Sequence, residues 1–244
     1  MEVDLRIENG VAVVTLNAPE RRNALTPSMA RELTQVLDEA DRNPNVGAVV
    51  VQGASGSFCA GANRSTLTNA SADPAGEKTY AALSDVYASF IRIGSVRVPT
   101  IAAIQGAAVG AGLNLALAAD LRIVGRKARL LSGFLRIGLH PGGGHIALLS
   151  RVAGREAAAA MAVFGEEIDG ERAVQLGLAW EAVDDEQVLD RAMELATRVA
   201  FDPELGRAVI RSFRLETGPP TLAWDVAVQV ERPSQMWSMR RKDS

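Results

Sequence analysis

Three short apolar runs frame the 244-residue chain: Val11–Leu16, Val46–Gln52 and Thr100–Ile104. Each is bounded by turn-forming or polar residues and enriched in β-branched side chains, which predicts core strands. Val46–Gln52 is apolar on both faces, the pattern of a sheet covered on both sides. Between them, helical spacing takes over. Thr26 followed by Pro27 is a start signal, because threonine caps free amides and proline suits the first helical turn. Leu33, Val36, Leu37 and Ala40 then share a face, and Asn43 with Pro44 stops the helix. A second helix is predicted over about Tyr80–Ile93, carrying Leu83, Val86, Tyr87 and Phe90.

Two further strands are expected, at Leu121–Val124 and around Ala128–Leu131. From Arg155 onward the pattern is helical. Asp169 can cap a short helix that Gly177 ends, and Asp185 can cap a longer one with Val188, Ala192, Leu195 and Val199 on one face. Pro203 opens another with Leu205, Ala208 and Val209, and Gly218-Pro219-Pro220 breaks the chain before a segment carrying Leu222, Val226 and Val230. The expected architecture is an α/β core over residues 1–190 and a helical region over 191–244 whose apolar faces suit oligomer contacts.

Two glycine-rich turns stand out. Gly53–Ser65 (GASGSFCAGANRS) follows a strand, and its small residues let a ligand approach backbone N–H groups closely. Gly106–Asp120 (GAAVGAGLNLALAAD) is a second strand-to-helix turn whose helix start offers free amides near Gly110 and Ala111. Its glycine spacing fits neither the dinucleotide fingerprint nor a phosphate loop. Residues 66–79 are small and polar, as in a loop lying over a site.

Composition narrows the class. With 48% hydrophobic residues, 23% charged residues and a formal net charge of −3, the chain has no electrostatic footprint for nucleic acid. A single cysteine, Cys59, excludes an internal disulfide framework and points to a reducing, cytoplasmic compartment. The N-terminus lacks the apolar stretch of a secretory signal. Val98–Ala119 is uncharged, but Pro99, Gln105, Asn114 and three glycines favour a strand, a turn and a helix over a membrane span. His140 and His145 are five residues apart across Pro141 and three glycines, so no metal pair is expected.

Several of these segments together resemble the crotonase, or enoyl-CoA hydratase/isomerase, superfamily. LNAPERRNAL (residues 16–25) is similar to the family's LNxPxxxNAL, and FCAGAN (58–63) to its FCAGAD. IAAIQGAAVGAGLNLALAADLRI resembles the AxxxGxAxGGGxxLAxxxDxRI segment; Ile137–Arg151 resembles GLxPGxGGxxxLxR, and Ala173–Ala182 resembles AxxxGLVxxV. The resemblance implies a spiral of repeated ββα units with C-terminal helices that build trimers or hexamers. It implies an acyl-CoA thioester as ligand, with no cofactor beyond the coenzyme A of the substrate. It also implies that the backbone N–H groups of Ala62 and Ala111 bind the thioester oxygen, suiting an enolate-like intermediate. Arg22–Ala24, as an extended segment, and Ala60 would lie along coenzyme A, beside Asn63, Arg64, Ser65 and Gly110, with Arg22 or Arg64 meeting phosphates.

The catalytic positions depart from the family. Hydratases use two glutamates to position and activate water, and the matching residues here are Asn114 and Phe134. The motif aspartate is Asn63. The family's further C-terminal segment has no match beyond the RRKDS ending, where Arg240, Arg241 and Lys242 stand as candidate phosphate contacts. Three readings follow: an active lyase or isomerase with relocated acid/base groups, a catalytically silent acyl-CoA binder, or an assembly subunit. For the first, His140 is the leading proton carrier, with His145, Asn114 and Glu77 behind it.

Overall fold

The structure is a computed structural model that describes residues 1–63, 65, 66, 73, 76–220, 223, 226, 229, 230 and 232–237. Strands β1 (Val3–Glu8), β2 (Val11–Leu16), β3 (Ala48–Gly53), β4 (Thr100–Ile104), β6 (Leu121–Gly125) and β9 (Glu181–Val183) form one sheet in that order. The β1–β2 pair is antiparallel and the rest are parallel. A smaller sheet holds β5 (Ala107–Val109), β7 (Arg129–Leu131) and β8 (Glu167–Ile168). Helices α1 (Pro27–Arg42), α2 (Glu77–Ser95), α3 (Ala111–Ala118), α4 (His145–Ala158), α5 (Gly170–Gln175), α6 (Val188–Ala200) and α7 (Pro203–Thr217) complete the named elements.

The doubly covered sheet follows from β3. Val49 and Val51 face the main core with α1, while Ala48 and Val50 face the other side, where Val188, Ala192, Ala196 and Ala200 of α6 cover them. All four strand residues are buried. The uncharged stretch Val98–Ala119 resolves into β4, β5 and α3, and no helix among the described residues is long and apolar enough to cross a membrane. Capping follows the sequence at Thr26, whose Oγ1 accepts from Met29 N at 3.1 Å, and at Asp169, which accepts from Arg172 N at 2.8 Å; Asp202, accepting from Leu205 N at 3.0 Å, adds a cap just before Pro203.

Four readings need correction. Val3–Glu8 is a strand, and its alternation of Val3, Leu5 and Ile7 with charged residues carries the signal. The late part of the chain is not purely helical, since β8 and β9 each return to a sheet. Strand β3 begins at Ala48, not Val46: Val46 N bonds the Asn43 carbonyl and Gly47 N the Gly10 carbonyl, so both belong to the turn. Asp185 does not cap a helix; it opens a 3₁₀ turn, and α6 starts at Val188 behind Gln187.

Helix α7 is tied to the core by charge. Arg207 reaches Asp41 at 3.1 Å and Arg214 reaches Asp120 at 2.6 Å, seven residues and two turns apart on one face. Asp41 also receives Arg92 at 2.7 Å and Arg97 at 3.2 Å. Burial pushes its carboxyl up, but the bonds from Arg92, Arg97 and Arg207 together outweigh burial and hold it below the usual range.

Asn23 organises the entrance to the first glycine turn. Fully buried and left-handed at φ 53–57° with Arg22, it accepts from Ala18 N at 2.8 Å and donates to the carbonyls of Ala54 at 3.0 Å and Ser57 at 2.6 Å. Asn23→Ala removes the partner of one buried and two part-buried backbone groups and places alanine in a left-handed conformation. An expected loss of about 3–4 kcal/mol is measurable by urea unfolding.

Candidate active site

The two glycine turns are laced together by main chain. Cys59 N donates to Ala107 O at 2.9 Å and Val109 N to Cys59 O at 3.0 Å. Gly112 presses on the same carbonyl, since a Cβ there would sit 2.2 Å from Cys59 O. On its other side the first turn pairs with the Arg22–Leu25 segment: Ala60 N donates to Arg22 O, Leu25 N to Gly61 O and Asn63 N to Leu25 O, at 2.7–3.0 Å. In such a parallel bridge Leu25 uses the groups flanking Ala62, so the N–H of Ala62 itself turns away from Leu25. Gly61 itself meets the second turn, where a Cβ on it would lie 2.8 Å from Val109 O and 3.8 Å from Ala111 N.

Ala111 is the first residue of α3, so its N–H has no intrahelical acceptor; the first such bond is Asn114 N to Gly110 O at 3.0 Å. Gly110 supplies the turn at φ 52° and ψ −111°, which leaves Ala111 outside the positive-φ region, so its side chain costs no backbone strain. The Gly61–Ala62 main chain and the first amide of α3 thus lie close together where the two turns meet.

The remaining predicted residues divide. Ala24 and Ala60 lie along this bridge, but Arg22 and Asn23 are left-handed, not extended; this bend swings Ala24 and Leu25 alongside the turn. Arg22 is exposed. Asn63 Oδ1 accepts from Ser65 N at 2.9 Å and Ser65 Oγ at 2.7 Å, closing a local turn. Beside it opens a cavity of about 860 Å³ lined by Thr26, Ser65, Thr66, Glu77 and Leu83. Glu77 is in the first turn of α2, not in the loop before it. Arg64, most of the 66–79 loop and the tail with Arg240, Arg241 and Lys242 lie outside the described residues.

Asn114 and Phe134 do come together, through His145. Asn114 Nδ2 donates to Gly142 O at 3.0 Å, which turns Oδ1 toward His145 Nδ1, 2.6 Å away. Since an amide oxygen only accepts, Nδ1 carries the proton; Nε2 is then an acceptor for Ser132 Oγ, also at 2.6 Å. Phe134 packs its ring against the imidazole at 4.9 Å and 64°. Asn114, Ser132 and His145 are all buried. Burial pushes the His145 imidazole down to about 4, so it is neutral at pH 7. His140, by contrast, is exposed and its Nδ1 donates to Pro141 O at 2.7 Å. The structure therefore joins His145 to Asn114, and leaves His140 apart.

Gly142 and Gly143 let this loop close down: a Cβ on Gly143 would fall 2.8 Å from Phe90 and 2.9 Å from Asn114 Nδ2. Cys59 is no nucleophile, because burial pushes its thiol up to about 12. No group of three or more His, Cys, Asp or Glu residues among the described residues is placed to hold a metal ion.

The enoyl-CoA hydratase/isomerase family model matches residues 6–230. The chain belongs to the enoyl-CoA hydratase/isomerase family. Among its relatives, a Mycobacterium tuberculosis protein named "Probable enoyl-CoA hydratase EchA14" is 43% identical over 219 residues, covering 89% of this chain and 83% of that protein. The 1,2-epoxyphenylacetyl-CoA isomerase of Escherichia coli is 34% identical over 97% of this chain and 90% of its own length. An enoyl-CoA hydratase from Polaromonas sp. JS666 superposes with a TM-score of 0.88 at 27% identity, covering 97% of this chain and 91% of that one. The crotonase-like α/β fold with a helical C-terminal region, read from the motifs, is thereby borne out.

Within this family member, Asn23, Ser132 and the position of His145 are the site features that sequence reasoning passed over. Asn23 had a signal, as the asparagine of the NAL segment. Ser132 had none, and His145, though a candidate proton carrier in the sequence, showed no sign of its partners, because their meeting depends on α4 packing against the end of β7.

Proposed function

We propose that this chain acts on an acyl-CoA thioester whose carbonyl oxygen is held by the N–H groups of Ala62 and Ala111, so that charge developing on that oxygen is stabilised as an enolate forms. The observation carrying this reading is the interlocked pair of glycine turns, which brings the Gly61–Ala62 main chain up against Val109–Ala111 at the start of α3. Membership of a family whose relatives are named for acyl-CoA substrates supports it. Coenzyme A would run past Arg22, Ala24, Ala60 and Asn63–Ser65, with Gly110 behind the second amide.

Water addition by paired carboxylates is not part of the proposal. Asn114 has no acidic proton and its amide is committed to His145 and Gly142, while Phe134 offers only an apolar ring. The reaction assigned is lyase or isomerase chemistry, with His140 or Glu77 as the group that takes the α-proton. The exposed Phe201, Val209, Phe213 and Leu215 support assembly through the 191–244 region as a trimer or a dimer of trimers, in the cytoplasm.

The test is exchange of the acyl α-hydrogens for deuterium. Catalysed exchange seen by NMR in heavy water, reduced at least 10-fold by His140→Ala or Glu77→Gln, is the expected result. Tight acyl-CoA binding by calorimetry without exchange would favour the silent binder, a reading that the inward commitment of Asn114 and His145 supports. Binding of no acyl-CoA would defeat both.

A further inference from the structure

Ser132, His145 and Asn114 are joined in one direction. The hydroxyl of Ser132 donates to Nε2 of His145, whose Nδ1–H donates to Oδ1 of Asn114, each at 2.6 Å. The order is fixed from its far end, because Asn114 Nδ2 is spent on the Gly142 carbonyl. A hydroxyl on a neutral imidazole whose other nitrogen is held by an amide oxygen is the arrangement that activates a nucleophile in hydroxyl–imidazole–amide triads. It lies beside the start of α3, next to Gly110 of the second turn. Gly110 N donates to Leu131 O at 3.0 Å, and Gly110 faces the Ser132 carbonyl, 3.2 Å from where a Cβ would be. Ala111 follows Gly110, and Asn114 stands one turn further along α3.

Alternatives within the site fall away. The Cys59 thiol is buried and held in its protonated form, and His140 is exposed and bonded to its own loop. Phe134 holds the imidazole edge-on, which fixes the ring plane that the two hydrogen bonds need.

We infer that Ser132 is a nucleophile activated by His145 and oriented through Asn114, giving this protein an acyl-CoA thioester hydrolase activity. The inference rests on the acyl-CoA reading above and adds a reaction to it. Ser132 Oγ bonds to the thioester carbon while its proton passes to His145 Nε2, and the carbonyl oxygen takes negative charge against Ala62 and Ala111 N–H. As the C–S bond breaks, the proton on Nε2 goes to the departing coenzyme A sulfur, leaving an acyl ester on Ser132. Water then adds to that ester, giving its proton to Nε2, and collapse returns the proton to Ser132 Oγ and frees the carboxylic acid.

Incubation of the full-length protein with acetyl-, crotonyl- and phenylacetyl-CoA tests this by two readouts: free thiol released, and intact mass followed by peptide mapping. Expected are thiol release with at least one thioester and an acyl mass increment on the peptide containing Ser132. Ser132→Ala should abolish the adduct and cut thiol release about 10³-fold or more, and His145→Gln should slow both, with acyl-CoA binding by calorimetry kept in each. Thiol release unchanged in Ser132→Ala, or an adduct mapping elsewhere, would overturn the inference. So would binding of all three thioesters with neither thiol release nor adduct, an outcome that leaves the acyl-CoA reading standing. Binding of none would sink that reading first. The wild-type adduct measurement is independent of how well either variant folds.

Discussion

Gly112→Ala is expected to reduce kcat/KM on an acyl-CoA substrate by about 10²–10³-fold, and to weaken acyl-CoA binding seen by calorimetry. The new methyl would sit 2.2 Å from the Cys59 carbonyl oxygen and 2.9 Å from its carbon, and both are main chain. No rotamer change relieves that contact, so the start of α3 must move away from the Gly53–Ser65 turn. The movement stretches the Cys59–Val109 bond and separates Ala62 from Ala111, the two donors whose spacing the proposed chemistry needs. The same displacement should lower stability by about 2–3 kcal/mol. Gly94→Ala is the contrast. Gly94 lies inside α2, where a methyl meets the Ala118 carbonyl at an ordinary 3.4 Å. It should gain about 0.5–1 kcal/mol and leave acyl-CoA binding unchanged. Equal binding by the two variants would mean that the glycine clamp does not set the donor geometry.

That contrast also marks what could be read along the chain. Gly112 and Gly94 look alike as letters; only the partner brought up from Cys59 or Ala118 distinguishes them. What is local was legible: the Thr26 and Asp169 caps, the apolar faces of α1 and α6, and the double burial of β3 all follow from spacing of a few residues. The two turns were legible as amide-rich loops, but that Ala62 turns its N–H away from Leu25 depends on their pairing across 37 positions. The short strands β5, β8 and β9 were missed because two or three residues carry no period; they form where the sheet already exists to receive them. The anchoring of α7 by Arg207 and Arg214 was equally invisible, since Asp41 and Asp120 are 166 and 94 residues away.

His145 makes the second large effect, and it is a matter of pH. Burial lowers its imidazole to about 4 against 6.5 for the free side chain, so folding holds it neutral where the unfolded chain would already be charged. The unfolded state then binds the extra proton. Stability from this group is complete above pH 6.5, falls as pH drops through the interval, and is gone below about 4, amounting to about 3 kcal/mol in all. The carboxylates held down by arginines, Asp41 and Glu167 among them, lose their contribution lower, below about pH 4.5, so the upper part of the window belongs to the histidine. His145→Gln removes the titration while leaving an amide that can still bond Asn114 or Ser132. Urea unfolding at pH 7, 6, 5 and 4 should show the wild type losing roughly 3 kcal/mol more than the variant across that range, even though the variant starts less stable. Parallel curves would mean that the imidazole is solvated in the folded protein. The hydrogen-bonded order from Ser132 to Asn114 would then fail with it, since that order requires an imidazole kept neutral between a hydroxyl and an amide oxygen.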